Sequence, residues 1–379
     1  MNKAYLKLSS FYWFYFSALG AFIPFWGLYL KSLNFTASEI GELIAIIMAT
    51  KIVAPNLWGW LSDKSGKRLS LIRMGALLSC LFFSGIFFNS HYWWIFLILL
   101  CYSFFWNAIL PLFEALTLTY LGNDHHQYSY IRVWGSIGFV VSVFLLGLFF
   151  SQYSIDYLPW FNLLLLIGIF VSTLFVREKP IEHMEHHDKL WDLIKSPEVF
   201  ALLMACLLVQ MSHGPYYAFF SIYATDHDYS NTSIGLLWGL GVIAEVIVFL
   251  FMPKLIKYFG LKKLLLFSLI SGSLRWFIIA YFIDIQWLIT LNQLLHASTF
   301  GIYHIVVISL IHHYFKGKNQ GMGQALYSSI SFGVGGALGS LISGYLWIGL
   351  GSELTYVFAA IISLLAFVLS FMFIKFYPY

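Results

Sequence analysis

The chain has 379 residues, of which 60% are hydrophobic, 20% aromatic and only 10% charged, and its formal net charge is +4. That balance excludes a soluble globular composition. The basic residues fall into short segments between apolar runs instead of forming one patch or arm, so a nucleic-acid-binding surface is excluded as well, and an integral membrane protein remains.

The N-terminus, Met1 to Lys7, leads into an apolar run that continues well past a signal-peptide core without a small-residue cleavage pattern, so the first helix is expected to stay in the protein. Runs of roughly 20 apolar residues, the length that crosses the hydrocarbon core, lie at about 8–31, 39–62, 69–89, 93–121, 129–151 and 155–176. After a charged connection, six more follow at about 197–224, 231–253, 263–283, 285–313, 320–347 and 352–375. The expected fold is therefore all-α, with twelve transmembrane helices in two groups of six. The N-terminal bundle is placed at 1–176, a cytoplasmic linker at 177–196 and the C-terminal bundle at 197–379.

Between the second and third runs lies Gly59-Trp60-Leu61-Ser62-Asp63-Lys64-Ser65-Gly66-Lys67-Arg68. A short link this cationic between two spanning segments reads as a hairpin on the cytoplasmic side, where Lys and Arg collect. Placing both termini, this hairpin, the linker and the loops at 254–263 and 314–319 in the cytoplasm leaves only Lys31 on the far side, whose loops hold Asp156, Asp226, Asp228, Asp284 and Glu353. Both termini are thus expected inside.

Cys80, Cys101 and Cys206 are dispersed within apolar runs and read as packing residues. The doublets His125-His126, His186-His187 and His312-His313 sit at loops or helix ends without a metal-binding spacing, and no metal is expected. Gly333, Gly335, Gly336, Gly339 and Gly344, with Ser340, form small-xxx-small pairs that favour close helix packing.

Lys51, Glu114, Arg132, Glu245 and Arg275 fall inside spanning runs, where an ionised group costs about 2.5–3.5 kcal/mol on insertion scales. Such residues pair with one another or line a watery path. Three cations against two anions leave one positive charge as a counter-ion for an anionic substrate. Helix ten adds Asn292, Gln293, His296 and His304, and His296, Phe300 and His304 follow at four-residue steps on one side. Imidazole titrates near neutrality, so these histidines are candidate proton carriers with Glu245 and Glu114. Gln210 and His213, ahead of Gly214-Pro215-Tyr216-Tyr217, line the same cavity or pack beside it.

The 59–68 segment resembles the loop motif of the major facilitator superfamily, G-x-L-x-D-[RK]-x-G-[RK]-[RK], with every fixed place matched. The resemblance implies a secondary transporter with two pseudo-symmetric six-helix bundles and a substrate site between them near the midplane. Gly59, Asp63, Gly66, Lys67 and Arg68 would form its conformational latch. In keeping with a repeat, a shift of 194 pairs Gly20 with Gly214, Gly66 with Gly260 and Lys51 with Glu245.

Arg132-Val133-Trp134-Gly135-Ser136-Ile137-Gly138-Phe139 resembles the start of the fifth helix in sugar and nucleoside proton symporters, which implies a substrate-contacting pair of Arg132 with Glu114 and Trp134 beside it. Glu245 and Arg275 occupy places where those symporters carry a coupling carboxylate and arginine, although helix ten here lacks their acid. With Pro24-Phe25-Trp26, Pro111-Leu112-Phe113-Glu114, Ala244-Glu245-Val246-Ile247, Arg275-Trp276 and His296-Ala297-Ser298-Thr299-Phe300, the whole chain resembles the bacterial 3-phenylpropionate transporters. That resemblance implies proton-coupled import of a small aromatic carboxylate across an inner membrane by alternating access. The expected substrate contacts are Lys51, Glu114, Arg132, Trp134, Arg275 and His296, and the expected proton-coupling groups are Glu245, His296, His304 and Glu114. The proton gradient takes the place of a cofactor, the expected partners are the carboxylate, protons and the lipid bilayer, and a monomer is expected. Sugar or nucleoside symport and drug-proton antiport use the same motifs. A membrane enzyme is disfavoured because no activated nucleophile or metal triad is present.

Overall fold

A computed structural model describes residues 3–122, 124, 127–177, 196–316 and 319–375. Most of the 177–196 connection and the doublets His125-His126 and His186-His187 lie outside the described residues. Among the described residues the chain is helical throughout, with no strand.

Among the described residues, eleven helical stretches are long and apolar enough to cross a membrane. The longest, Asn231–Phe282, has 52 residues, which at 1.5 Å each would extend more than twice the ~30 Å hydrocarbon core. It is two helices, because Gly260 sits at φ 72°, ψ 163°, outside any helical geometry. The break raises the number of spans among the described residues to twelve: α1 (Lys3–Ser32), α2 (Ala37–Ser65), α3 (Arg68–Phe87), α4 (Tyr92–Leu121), α5 (Gln127–Phe150), α6 (Ile155–Leu174), α7 (Pro197–Asp226), α8 (231–259), α9 (261–282), α10 (Gln286–Tyr314), α11 (Gln320–Leu350) and α12 (Ser352–Phe373).

The chain forms two compact units. The first is Met1–His183 with Tyr229–Gly239, and the second is Met184–Asp228 with Leu240–Tyr379. Within the first, α1 meets α5 at close range because Gly135 and Gly138 leave room: a Cβ at Gly138 would lie 2.6 Å from the Trp13 carbonyl oxygen. Within the second, α11 meets α7 in the same manner, where a Cβ at Gly335 would lie 2.5 Å from the Leu207 oxygen and Gly214 abuts the Gly339 backbone. Without a hydrophobic driving force between helices in lipid, this backbone approach supplies the van der Waals contact that holds them.

Helix ends are closed by local chemistry. Thr36 and Glu39 form a reciprocal capping box at the start of α2, and Gly66, left-handed at φ 66°, ends it with its N–H on the Ser62 carbonyl at 2.9 Å. Arg73 on α3 donates to the Thr173, Leu174 and Val176 carbonyls at 2.9–3.4 Å and so closes α6. Lys262 on α9 likewise donates to the Phe371 carbonyl of α12 at 3.0 Å. A cation on orphan carbonyls at a helix C-terminus is favourable on both hydrogen-bonding and dipole grounds.

Candidate functional site

The second unit gathers its charged candidates in one place. Arg275, on α9, is fully buried, and its guanidinium donates to His296 Nδ1 and Thr299 Oγ1 at 3.1 Å each and to Gln293 Oε1 at 3.2 Å. It lies over the Tyr216 ring, 4.3 Å from the ring centre, and over the Trp276 ring, 4.7 Å away. These are favourable cation–π distances in a desolvated site. Gln293 Oε1 accepts a second bond, from the Tyr216 hydroxyl at 2.9 Å.

The other imidazole nitrogen of His296, Nε2, stands 3.6 Å from Glu245 Oε2. Arginine can only donate, so Nδ1 of His296 is an acceptor and its proton resides on Nε2, facing Glu245. Glu245, His296 and Arg275 thus stand in line as carboxylate, imidazole and guanidinium, brought from α8, α10 and α9.

Helix α7 frames this cluster. It breaks at His213, so that Gly214 and Pro215 begin a new helical segment and the Tyr216 ring comes over Arg275. The His213 Nδ1 lies 2.8 Å from the Val209 carbonyl, which fixes its proton on Nδ1, and its ring meets Trp276 edge-on at 4.9 Å. Trp276 Nε1 donates to Ser212 Oγ at 3.2 Å.

His304 is set apart from the cluster. Its Nδ1 lies 3.2 Å from the Tyr327 hydroxyl on α11, and the Phe300 ring lies between it and His296. The three rings are nearly parallel, at 5.5 Å and 6° and then 6.0 Å and 4°. They share a side as the four-residue spacing predicts, with Phe300 in contact with each imidazole. The helix between them is not α-helical: Ala297–Ile302 forms a π turn, in which the Tyr303 N–H donates to the Ser298 carbonyl. Such turns are frequent at functional sites.

The first unit's candidates are arranged differently. Glu114, on α4, accepts from the Tyr128 hydroxyl at 3.2 Å and interacts with Arg132 through charge. The Arg132 guanidinium lies over the Phe16 ring at 3.7 Å and near Tyr12 at 5.8 Å. Tyr12 is itself tied to Thr117 at 3.2 Å. Trp134 Nε1 donates to the Tyr5 hydroxyl at 2.9 Å, and that hydroxyl donates to the Tyr130 carbonyl at 3.0 Å. Lys51 is half-buried on α2, next to Thr50, whose hydroxyl bonds Ser103 at 3.1 Å and accepts from Asn107 at 2.8 Å.

In the 59–68 hairpin, Arg68 lies 3.9 Å from Asp63 and also reaches Ser62 Oγ and Thr119 Oγ1 at 3.4 Å each. Lys67 and Asp63 are exposed, and Gly59 faces open space. Among the described residues no group of three or more His, Cys, Asp or Glu could hold a metal ion, and the three cysteines are free.

Tyr216, Gln293, Thr299 and Phe16 gain importance from the structure. Gln293 stands out in sequence as an amide within an apolar run. The other three are residue types common in any membrane core, and only the arginines beside them distinguish them.

A twelve-helix all-α membrane fold with buried charges is the architecture of a secondary transporter, and the comparisons agree. The chain matches the MFS_1 like family over residues 5–359, and it belongs to that family. It is 30% identical over 362 residues to a probable 3-phenylpropionic acid transporter of Escherichia coli, covering 92% of this chain and 93% of that one. It is 25% identical over 343 residues to a maltose permease of Geobacillus stearothermophilus, covering 89% and 86%. A crystal structure of a mutant form of the nucleoside transporter NupG superposes with a TM-score of 0.88 at 17% identity, over 98% of this chain and 100% of that one, which shows the shared fold. The protein is a multi-pass membrane transporter of the major facilitator type that moves a small molecule; its family and relatives are transporters, not enzymes.

Proposed function

We propose that the protein imports a small aromatic carboxylate such as 3-phenylpropionate together with protons, by alternating access, across a bacterial inner membrane. On this reading it acts as a monomer with both termini cytoplasmic and needs no cofactor beyond the proton gradient. The supporting observation is the setting of Arg275: a fully buried guanidinium that cannot deprotonate, held by neutral acceptors, with His296 bridging to the carboxylate of Glu245. A buried charge without a close counter-ion favours an anionic ligand. The Tyr216 and Trp276 faces around it suit an aryl ring.

Coupling follows from the line of three groups. While Glu245 is ionised it balances Arg275 through His296. A proton on Glu245 removes that balance and leaves the guanidinium to a substrate carboxylate, so proton and substrate favour each other's binding. Glu245 is the first candidate carrier, with Glu114, His296 and His304 behind it. Lys51, Glu114, Arg132 and Trp134 are the first unit's candidates for substrate contact, and Gly59, Asp63, Gly66, Lys67 and Arg68 are the candidate latch.

The test is uptake of labelled 3-phenylpropionate into proteoliposomes with and without an imposed inward pH gradient, competed by a panel of nucleosides, sugars and aryl acids. Uphill uptake blocked only by aryl acids is expected, and Glu245→Gln should abolish accumulation while sparing exchange. Gradient-independent uptake, or competition by nucleosides or sugars alone, would refute the reading.

A further inference from the structure

Glu245 on α8 and His296 on α10 meet because each side chain lies over a glycine of the opposite helix. A Cβ added at Gly241 would come within 3.3 Å of the His296 Cβ, Cγ and Cδ2 atoms. One added at Gly301 would come within 3.2 Å of Glu245 Cγ and 3.0 Å of Val248 Cγ1. On α8, Gly241 and Glu245 are four residues apart, one α-helical turn. On α10, His296 and Gly301 are five apart, and five steps of 100° would carry Gly301 to roughly 140° from His296 in a regular α-helix. The π turn Ala297–Ile302 begins directly after His296 and contains Gly301, and its wider winding brings the glycine round to the side His296 occupies.

We infer that Gly241 and Gly301 are positioning residues for the Glu245–His296 pair, and that the π turn sets the register in which their two notches face each other. This rests on the reading of that pair as the coupling machinery. The 3.6 Å between Glu245 Oε2 and His296 Nε2 is the separation these notches permit, and a methyl in either one requires the side chains over it to give by a few tenths of an ångström. The charged and titratable groups around Glu245 and His296 include Arg275 from α9 and Tyr216, Tyr217 and His213 from α7. None of these is among the three atoms nearest to an added Cβ at either glycine: at Gly241 all three belong to His296, and at Gly301 they belong to Val248, Glu245 and Phe249.

The test uses the full-length protein in lipid nanodiscs, labelled with ¹⁵N at histidine, with His296→Asn to assign the signal. Wild type, Gly241→Ala, Gly301→Ala and the relieved double variant Gly301→Ala/Val248→Ala are titrated, with Gly349→Ala, whose added methyl meets nothing within 4 Å, as the control. The expected result is a displaced His296 titration midpoint in both single glycine variants, a return toward wild type in the double variant and no change in the control. In proteoliposomes the two single variants should lose about tenfold in gradient-driven accumulation while exchange persists. An unmoved His296 signal in folded Gly241→Ala and Gly301→Ala overturns the assignment, whether or not accumulation falls. Should Gly301→Ala not fold, Gly241→Ala and the double variant carry the same decision. If the wild type shows no gradient-driven accumulation, the functional reading fails alone, and the titration still decides the role of the glycines.

Discussion

The guanidinium of Arg275 and the imidazole of His296 meet at 3.1 Å, and only one assignment of protons fits them. Arginine has no acceptor, so the histidine presents a bare Nδ1 and turns its N–H toward Glu245. A second proton on His296 would break the bond to Arg275 and place two cations together.

Arg275→Lys should disable binding without removing the charge. A lysine is a point cation on a flexible stem and cannot reach Gln293, Thr299 and His296 at once. The loss of hydrogen bonds to a charged group is about 1.5–3 kcal/mol, or roughly 10- to 100-fold in substrate affinity. Equilibrium binding of labelled substrate to the purified protein reads it directly, and near-native affinity would show that the charge alone suffices.

Gly214→Ala should destabilise the second unit. The added Cβ would overlap the Gly339 backbone, which cannot rotate away, so α7 and α11 must separate. Overpacking of this kind costs about 1–3 kcal/mol or more. Thermal unfolding in detergent should register the loss, while Gly349→Ala stays within about 0.5 kcal/mol of wild type.

Asp63→Asn should separate stability from transport. The Asp63–Arg68 pair is 3.9 Å apart with the carboxylate 59% exposed, so its loss costs no more than about 1 kcal/mol. If the hairpin is a latch, uptake should fall with little change in unfolding temperature. Unchanged uptake in this variant would leave the hairpin as a topological signal only.

Arg73→Ala should loosen the end of α6. Its guanidinium donates to the carbonyls of Thr173, Leu174 and Val176 at and just past the end of α6, where helix carbonyls run short of backbone donors. Hydrogen exchange over the last turn of α6 should accelerate, with about 1.5–3 kcal/mol lost from unfolding, as expected for bonds to a charged donor.

Much of the fold was legible because a spanning helix announces itself by length and apolarity, and the hairpin at 59–68 by its cations. Even the split of Asn231–Phe282 was foreseeable, since lysines flank Gly260 and no single span contains so many residues. The candidate site was legible only as far as charge reaches. Arg275, Glu245 and His296 stood out because ionisable groups are rare at bilayer depth. Tyr216 and Thr299 carry no such mark, and no local pattern foretells that Ala297–Ile302 winds as a π turn. Arg132 and Glu114 were expected to face each other as a pair, and the structure adds that aromatic faces and Tyr128 take up their nearest contacts.

The Phe300 ring is stacked on both His296 and His304, and it would insulate one imidazole from the other if they carry protons. Protons hop only between groups joined by a hydrogen bond or by water, and a benzene face offers neither. On the proposed reading a proton would therefore not pass straight down this stack from one imidazole to the other, since His296 stands beside Glu245 and His304 beside Tyr327.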